Sequence, residues 1–225
     1  MSFPGFKPEA IKFLFENRMH NDKEWYESHK PDYKKYVYNP FVELITELAP
    51  TMLKIDEQFI TIPSKIISRV RRDTRFTHDK TMYRDNAWFV FLRDKSQMSV
   101  SPCFWFDIGQ KGSSYGVGYY GASTQSMSIL RDMIITKDPI FLKAYECYQN
   151  QSEFKIGGEM YKRSKFPDQP EDVKQWLDRK NIYFESVQNN FELAFSPGLP
   201  QVLKNGFLAL KPIYELFCIV QARTV

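Results

Sequence analysis

Seven of the residues between Lys65 and Arg84 are Lys or Arg, against two acids, Asp73 and Asp79. The run Ser68-Arg-Val-Arg-Arg-Asp-Thr-Arg-Phe76 is the densest array of fixed charge in the chain. A guanidinium is a planar fork of five N–H donors that matches two carboxylate or phosphate oxygens at once. Such a row either clamps an external oxyanion or satisfies carboxylates of the protein itself. If residues 66–76 are extended, alternation sets Arg69, Arg71, Asp73 and Arg75 on one face. Ile66, Ser68, Val70, Arg72, Thr74 and Phe76 then take the other. The polar stretch Thr77-His-Asp-Lys-Thr81 has the caps and turn formers of a loop, and Met82-Tyr83-Arg84 leads into a following strand. The candidate ligand-binding set is Arg69, Arg72, Asp73, Arg75, Asp79, Lys80, Tyr83 and Arg84, with His29 and Lys30 as helpers. No catalytic residue is assigned.

Other chemistries find less support. His20, His29 and His78 are the only histidines, and none has H-x-x-x-H spacing, so no metal site is expected. Cys103, Cys147 and Cys218 are odd in number and widely separated, which argues against a disulfide framework and for a reducing cytosol. There is no G-x-S-x-G elbow. Gly116, Gly118 and Gly121 sit among strand-forming aromatics without a Gly-Lys-Ser/Thr ending, so they read as sheet packing and no nucleotide cofactor is expected. The adjacent acids Glu171-Asp172 and Asp56-Glu57 read as features of helix ends.

The elements that must position the arginines are mostly legible. Ile11, Leu14, Phe15 and Arg18 recur at helical spacing behind Pro8, and Asn21 or Asp22 caps a second helix toward Tyr36, bent or split at Pro31. Asn39-Pro40 reads as a cap and first turn, and Phe41, Leu44, Ile45 and Leu48 form one stripe before Pro50. From Ile60 the grammar becomes β-branched and aromatic, with strands expected at 66–76, 87–92, 98–108 and 113–120, the last two joined by a hairpin at Gly109-Gln-Lys-Gly112. Helices follow from Ser123 or Thr124 to Ile135 and from Asp138-Pro139 toward Gln149. Then come a small hairpin over 154–162 turning at Gly157-Gly158, a helix over 170–180, a strand over 182–187 and a closing helix over 206–222. The fold class expected is α+β: N-terminal helices on a central antiparallel sheet, then further helices. One domain over 1–225 is the simplest division, with a seam near Lys137 or Gln149 where a smaller C-terminal lobe would begin.

A hydrophobic fraction of 43% and an aromatic fraction of 16% place the chain among ordered globular proteins. The net charge of +4 is small for 225 residues, so composition alone does not demand nucleic acid and the electrostatic argument rests on clustering. No apolar run approaches the ~20 residues that span a bilayer. The N-terminus shows no secretion signal, and a soluble protein with no membrane partner is expected.

Ser68-Arg69, Arg72-Asp73-Thr74-Arg75-Phe76, Asp79-Lys80 and Tyr83-Arg84 together resemble the signature of the domain of unknown function 2461 family. A second block is similar too: Asn21, Trp25-Tyr26, His29-Lys30 and Tyr33. The strand over Tyr115 to Tyr120 and the helix carrying Arg131 extend the resemblance over most of the chain. It implies a conserved hypothetical protein of cytoplasmic location. The chain departs at Met82, where the family usually has proline, and at His78, where it often has lysine, which makes the loop's charge sensitive to pH near neutrality.

Three functional readings remain open at this level. The first is a binding domain for a phosphate- or carboxylate-bearing ligand, nucleic acid being admitted but not required. The second is an enzyme acting on a small phosphorylated or carboxylated metabolite, with Asp73 or Asp79 as acid or base. The third is an arginine network that only braces the sheet.

Overall fold

The computed structural model describes residues 3–224. Helix α1, Pro8–His20, starts on a proline at its first turn and ends at Asn21, whose φ of 49° is the left-handed conformation asparagine tolerates. It buries Ala10, Phe13, Leu14 and Asn17, while Phe15 is 47% exposed. The inward face is therefore turned from the Ile11–Phe15 stripe that apolar spacing suggested, and a polar Asn17 lies inside it. Asp22 caps α2, Lys23–Asp32, by accepting from the Trp25 amide. The chain then continues without a break through a π-helical turn, Tyr33–Tyr38, into α3, Asn39–Ile55.

Asn39 is thus helical rather than a cap, and neither Pro31 nor Pro50 ends its helix. Pro40 has no N–H, and its ring crowds the carbonyl four residues back; the wider turn just before it gives that ring room. The stripe of α3 is as expected, with Phe41, Leu44, Ile45 and Leu48 buried, and it runs on past Pro50 to Met52 and Ile55.

A single helical turn, α4, Pro63–Ile66, takes up the first residue of the strand expected over 66–76. The rest of that segment is extended but forms no continuous ladder. It pairs with the returning chain through two isolated antiparallel bridges, Ile67 with Phe89 and Arg71 with Tyr83. Between those bridges one chain advances four residues and the other six, so two residues are looped out on the side of Asp85 to Ala87. An odd slip would have turned every side chain over; an even one keeps the faces. Arg69, Arg71 and Asp73 are exposed while Ser68, Val70 and Arg72 face inward, as alternation requires.

Strand β1, Asn86–Phe91, follows, then β2, Cys103–Gly109, and β3, Gly112–Tyr119, joined by the two-residue turn Gln110-Lys111. Gly112 has a φ of 122°, and a β-carbon there would lie 1.9 Å from the Gln188 carbonyl oxygen, so no other residue fits. Residues 98–100, expected in β2, form a turn instead. Helices α5, Thr124–Ile135, and α6, Pro139–Gln149, are capped by Ser123 and Asp138. Strand β4, Lys155–Gly157, does not fold back on itself as a hairpin over 154–162 would. After α7, Glu171–Leu177, it pairs antiparallel with β5, Ile182–Gln188, in the register Ile156 to Phe184. The chain closes with α8, Glu192–Phe195, α9, Leu199–Ala209, and α10, Lys211–Thr224, so the expected closing helix is two helices broken at Leu210. Pro212 explains the break, because a continuous helix would need its missing N–H.

The fold is α+β, and the sheet order is β1-β2-β3-β5-β4. Two compact units divide it. The first comprises Met1–Phe91, Trp105–Ser114 and Val187–Lys204; the second comprises Leu92–Phe104, Tyr115–Ser186 and Asn205–Val225. The first unit's core is aromatic: Phe106 lies 6.0 Å from Phe6, 6.2 Å from Phe41 and 5.8 Å from Phe89, between ring centroids. In the second unit, Trp176 packs edge-on to Phe141 and tilted against Phe184. Among the described residues no helix is long and apolar enough to cross a membrane. Truncating Phe106 to Ala in the first core is expected to cost ~3–5 kcal/mol, read as a lower midpoint in denaturant unfolding with little change in slope.

Candidate functional site

All eight candidate residues lie in the first unit, on the ribbon of residues 67–72 and 82–89 and the loop that closes it. The inward-facing arginine of the segment, Arg72, is spent on the protein itself. Its guanidinium donates to Asp79 and, at 2.8 Å, to the Thr81 hydroxyl. Arg18 of α1, 61 positions away, donates to the same Asp79 oxygen at 2.7 Å and to the Tyr83 carbonyl at 3.0 Å. The other Asp79 oxygen accepts from the Thr81 amide and hydroxyl. Those two Thr81 bonds, with the two guanidinium groups, hold the Asp79 carboxyl far below the usual carboxylate range.

The loop is also tied down beside this point. Asn21, the left-handed residue ending α1, accepts from the Met82 amide at 2.6 Å. Tyr83 is fully buried, its ring 5.3 Å from that of Tyr26 and under the Arg71 guanidinium. The two sequence blocks, Asn21 to Tyr33 and Ser68 to Arg84, thus meet in space. His29 and Lys30 turn to local partners: the Trp25 carbonyl at 2.8 Å and Glu27 at 3.0 Å. Trp25 is stacked between His20 and His29 at 4.7 and 4.0 Å.

The outward face differs. Asp73 takes Arg75 in a bidentate pair, with bonds of 3.0 and 2.7 Å, which lowers its carboxyl to about 2. Both Asp73 and Asp79 are thus held ionised by their hydrogen-bond partners. Lys80 donates to the Thr74 carbonyl at 2.9 Å, and Arg84 to the Arg69 carbonyl at 3.2 Å while lying over Trp88. Burial, then the charge of Arg72, pushes the Arg84 guanidinium value down. Among the described residues Arg69, Arg71 and Lys80 form no ion pair with a carboxylate, while Arg84 feels the charges of Asp107 and Asp85. Phe76, at the loop tip beside the Arg75 guanidinium, is 91% exposed.

A family model described as a conserved hypothetical protein (DUF2461) matches residues 9–216. The chain belongs to the DUF2461 family. The match covers the ribbon, the N-terminal block and Arg131 alike. In this DUF2461 protein Arg131 donates to the carbonyls of Leu177 and Arg179 at 2.9 and 2.7 Å, closing the end of α7. No curated protein matches the chain.

A second polar feature was not singled out from the sequence. Asp107, on β2, lines a cleft of about 400 Å³ at the end of the β2–β3 hairpin. Burial is the main cause that pushes its carboxyl up to about 6, and Asp85 adds to this; a hydrogen bond from Asn86 and the charge of Arg84 oppose it. Its signal was an acid inside the apolar run Cys103-Phe-Trp-Phe-Asp-Ile108.

The two kinds of carboxylate link to stability with opposite sign. Asp79 is depressed on folding, so its stabilisation is complete above the ordinary 3.8 and is lost as pH falls through the lower folded value. Asp107 is raised, so it favours the fold below 3.8 and that contribution is lost as pH rises through about 6. Asp79→Asn is therefore expected to lower the melting temperature at neutral pH and to converge on the wild type in strong acid. Thermal scans across the acid range check this.

Proposed function

We propose that the outer face of the ribbon is a binding surface for a phosphate- or carboxylate-bearing ligand, and that an extended polyanion suits it better than a single enclosed ion. The observation that carries this reading is the division of the arginines. Asp73 and Asp79 neutralise Arg75 and the Arg18–Arg72 pair, while Arg69 and Arg71 stand exposed, side by side and without a carboxylate. Two residues along an extended chain span roughly 6–7 Å, so the charges form a row rather than a pocket. Phe76 at the loop tip offers a face on which a base could stack. Single-stranded nucleic acid is the ligand that uses both features.

The reading is tested by anisotropy of a labelled single-stranded oligonucleotide at several salt concentrations. The logarithm of affinity is expected to fall linearly with that of salt, by ~0.7 for each phosphate neutralised. Replacing Arg69 and Arg71 together by Glu is expected to weaken binding by at least about ten-fold and to flatten the slope by roughly 1.4. Binding that ignores salt, or no binding, removes the nucleic-acid form.

A further inference from the structure

The two arginines of the outward face are not held alike. Arg71 and Tyr83 stand directly opposite each other in one of the two antiparallel bridges. The flanking bonds, Arg72 amide to Met82 carbonyl and Arg84 amide to Val70 carbonyl, make this the non-hydrogen-bonded kind of pair. In that kind the Cα atoms approach to about 4.5 Å and the two side chains meet on one face. The Arg71 guanidinium carbon accordingly lies 5.8 Å from the centre of the Tyr83 ring, and its Nη2 reaches the Met82 sulfur at 3.3 Å. Arg69 faces the looped-out stretch of the returning chain instead. The guanidinium groups of Arg71, Arg75 and Arg84 lie over rings, while among the described residues Arg69 has neither a ring nor a carboxylate.

The Tyr83 ring is itself firmly placed. It is fully buried, packs against the Tyr26 ring at 5.3 Å, and has its backbone carbonyl bonded by Arg18 at 3.0 Å. Its hydroxyl is buried and, among the described residues, has no hydrogen-bond partner, so the aromatic face is what this position supplies. Glu27 and Asp22 of α2 act on the Tyr83 hydroxyl alongside Arg71. Glu27 is engaged by Lys30 at 3.0 Å, and Asp22 accepts the Trp25 amide at 2.8 Å. A guanidinium over an aromatic face is attracted to it and keeps its N–H edge free for an oxyanion. A fully solvated arginine must instead give up side-chain freedom when it binds.

We propose that Tyr83 is a positioning residue: its ring holds Arg71 ready as the anchoring contact of the anion face, and Arg69 follows as a mobile second contact. This rests on the reading of that face as a binding surface.

The test pairs side-chain arginine NMR of the free full chain with anisotropy of the labelled single-stranded oligonucleotide. In the free protein the Arg71 Nε–H group is expected to be ordered on the picosecond-to-nanosecond scale and that of Arg69 mobile. Tyr83→Leu is expected to make Arg71 as mobile as Arg69, and Tyr83→Phe to leave it ordered. In binding, Tyr83→Leu is expected to weaken the oligonucleotide about two- to five-fold, the range of an exposed cation–π contact, and Tyr83→Phe to keep wild-type affinity. Added to Arg71→Ala, Tyr83→Leu is expected to cost nothing further; added to Arg69→Ala it costs its full factor. A merely structural role of Tyr83 would not produce that difference. If Tyr83→Leu does not keep the wild-type fold, the comparison of Arg71 with Arg69 in the wild type decides the matter. An Arg71 as mobile as Arg69 in the wild type, loss of affinity in Tyr83→Phe, or additive losses from Arg71→Ala and Tyr83→Leu overturns the proposal. A wild type that binds no oligonucleotide, yet has Arg71 ordered and released by Tyr83→Leu, supports the positioning and overturns only the binding reading.

Discussion

Asp79 receives a guanidinium from each of two segments, Arg18 of α1, 61 positions before it in sequence, and Arg72 of the ribbon. That shared carboxylate fixes the closing loop to the N-terminal helices. Around it the Met82 amide bonds to Asn21 and the Tyr83 ring packs on Tyr26. An exposed ion pair alone stabilises little. Here it comes with two hydrogen bonds from Thr81, an arginine bond to the Tyr83 backbone and an aromatic contact, so several groups must release together for the loop to open.

Spending Arg72 inward is what defines the outward face. Alternation places Arg69 and Arg71 opposite Arg72, and with Asp79 engaged by Arg18 and Arg72 no carboxylate of the loop is left for them. The first unit also carries a cleft lined by two acids, Asp85 and Asp107, on both of which the Arg84 charge of the ribbon acts. Asp73 and Asp79 stay ionised, while Asp107 changes charge close to neutrality.

The sequence made the ribbon's faces legible because period two survives an even register slip. The slip itself, and the helical turn that absorbs Ile66, were not legible, since they depend on how residues 83–89 return rather than on residues 66–76. The face of α1 was misjudged for a related reason. Phe15 is more apolar than Asn17, yet the α2 and π-helical segments pack where Asn17 points inward with Ala10, Phe13 and Leu14. Capping by Asp22, Ser123 and Asp138 followed from local chemistry and is realised. The cleft was hidden because Asp85 lies 22 residues before Asp107, and only the pairing of the strands brings it beside the β2–β3 hairpin.

The division of the carboxylates can be read directly from a side-chain carboxyl NMR titration of the intact chain. Asp79 is expected to stay ionised well below the ordinary 3.8, with Asp73 titrating near about 2 and Asp107 near about 6. An Asp79 carboxyl that titrates at its ordinary value would mean that Arg18 and Arg72 do not converge on it, and the partition of the arginines into an inward brace and an outward face would fail.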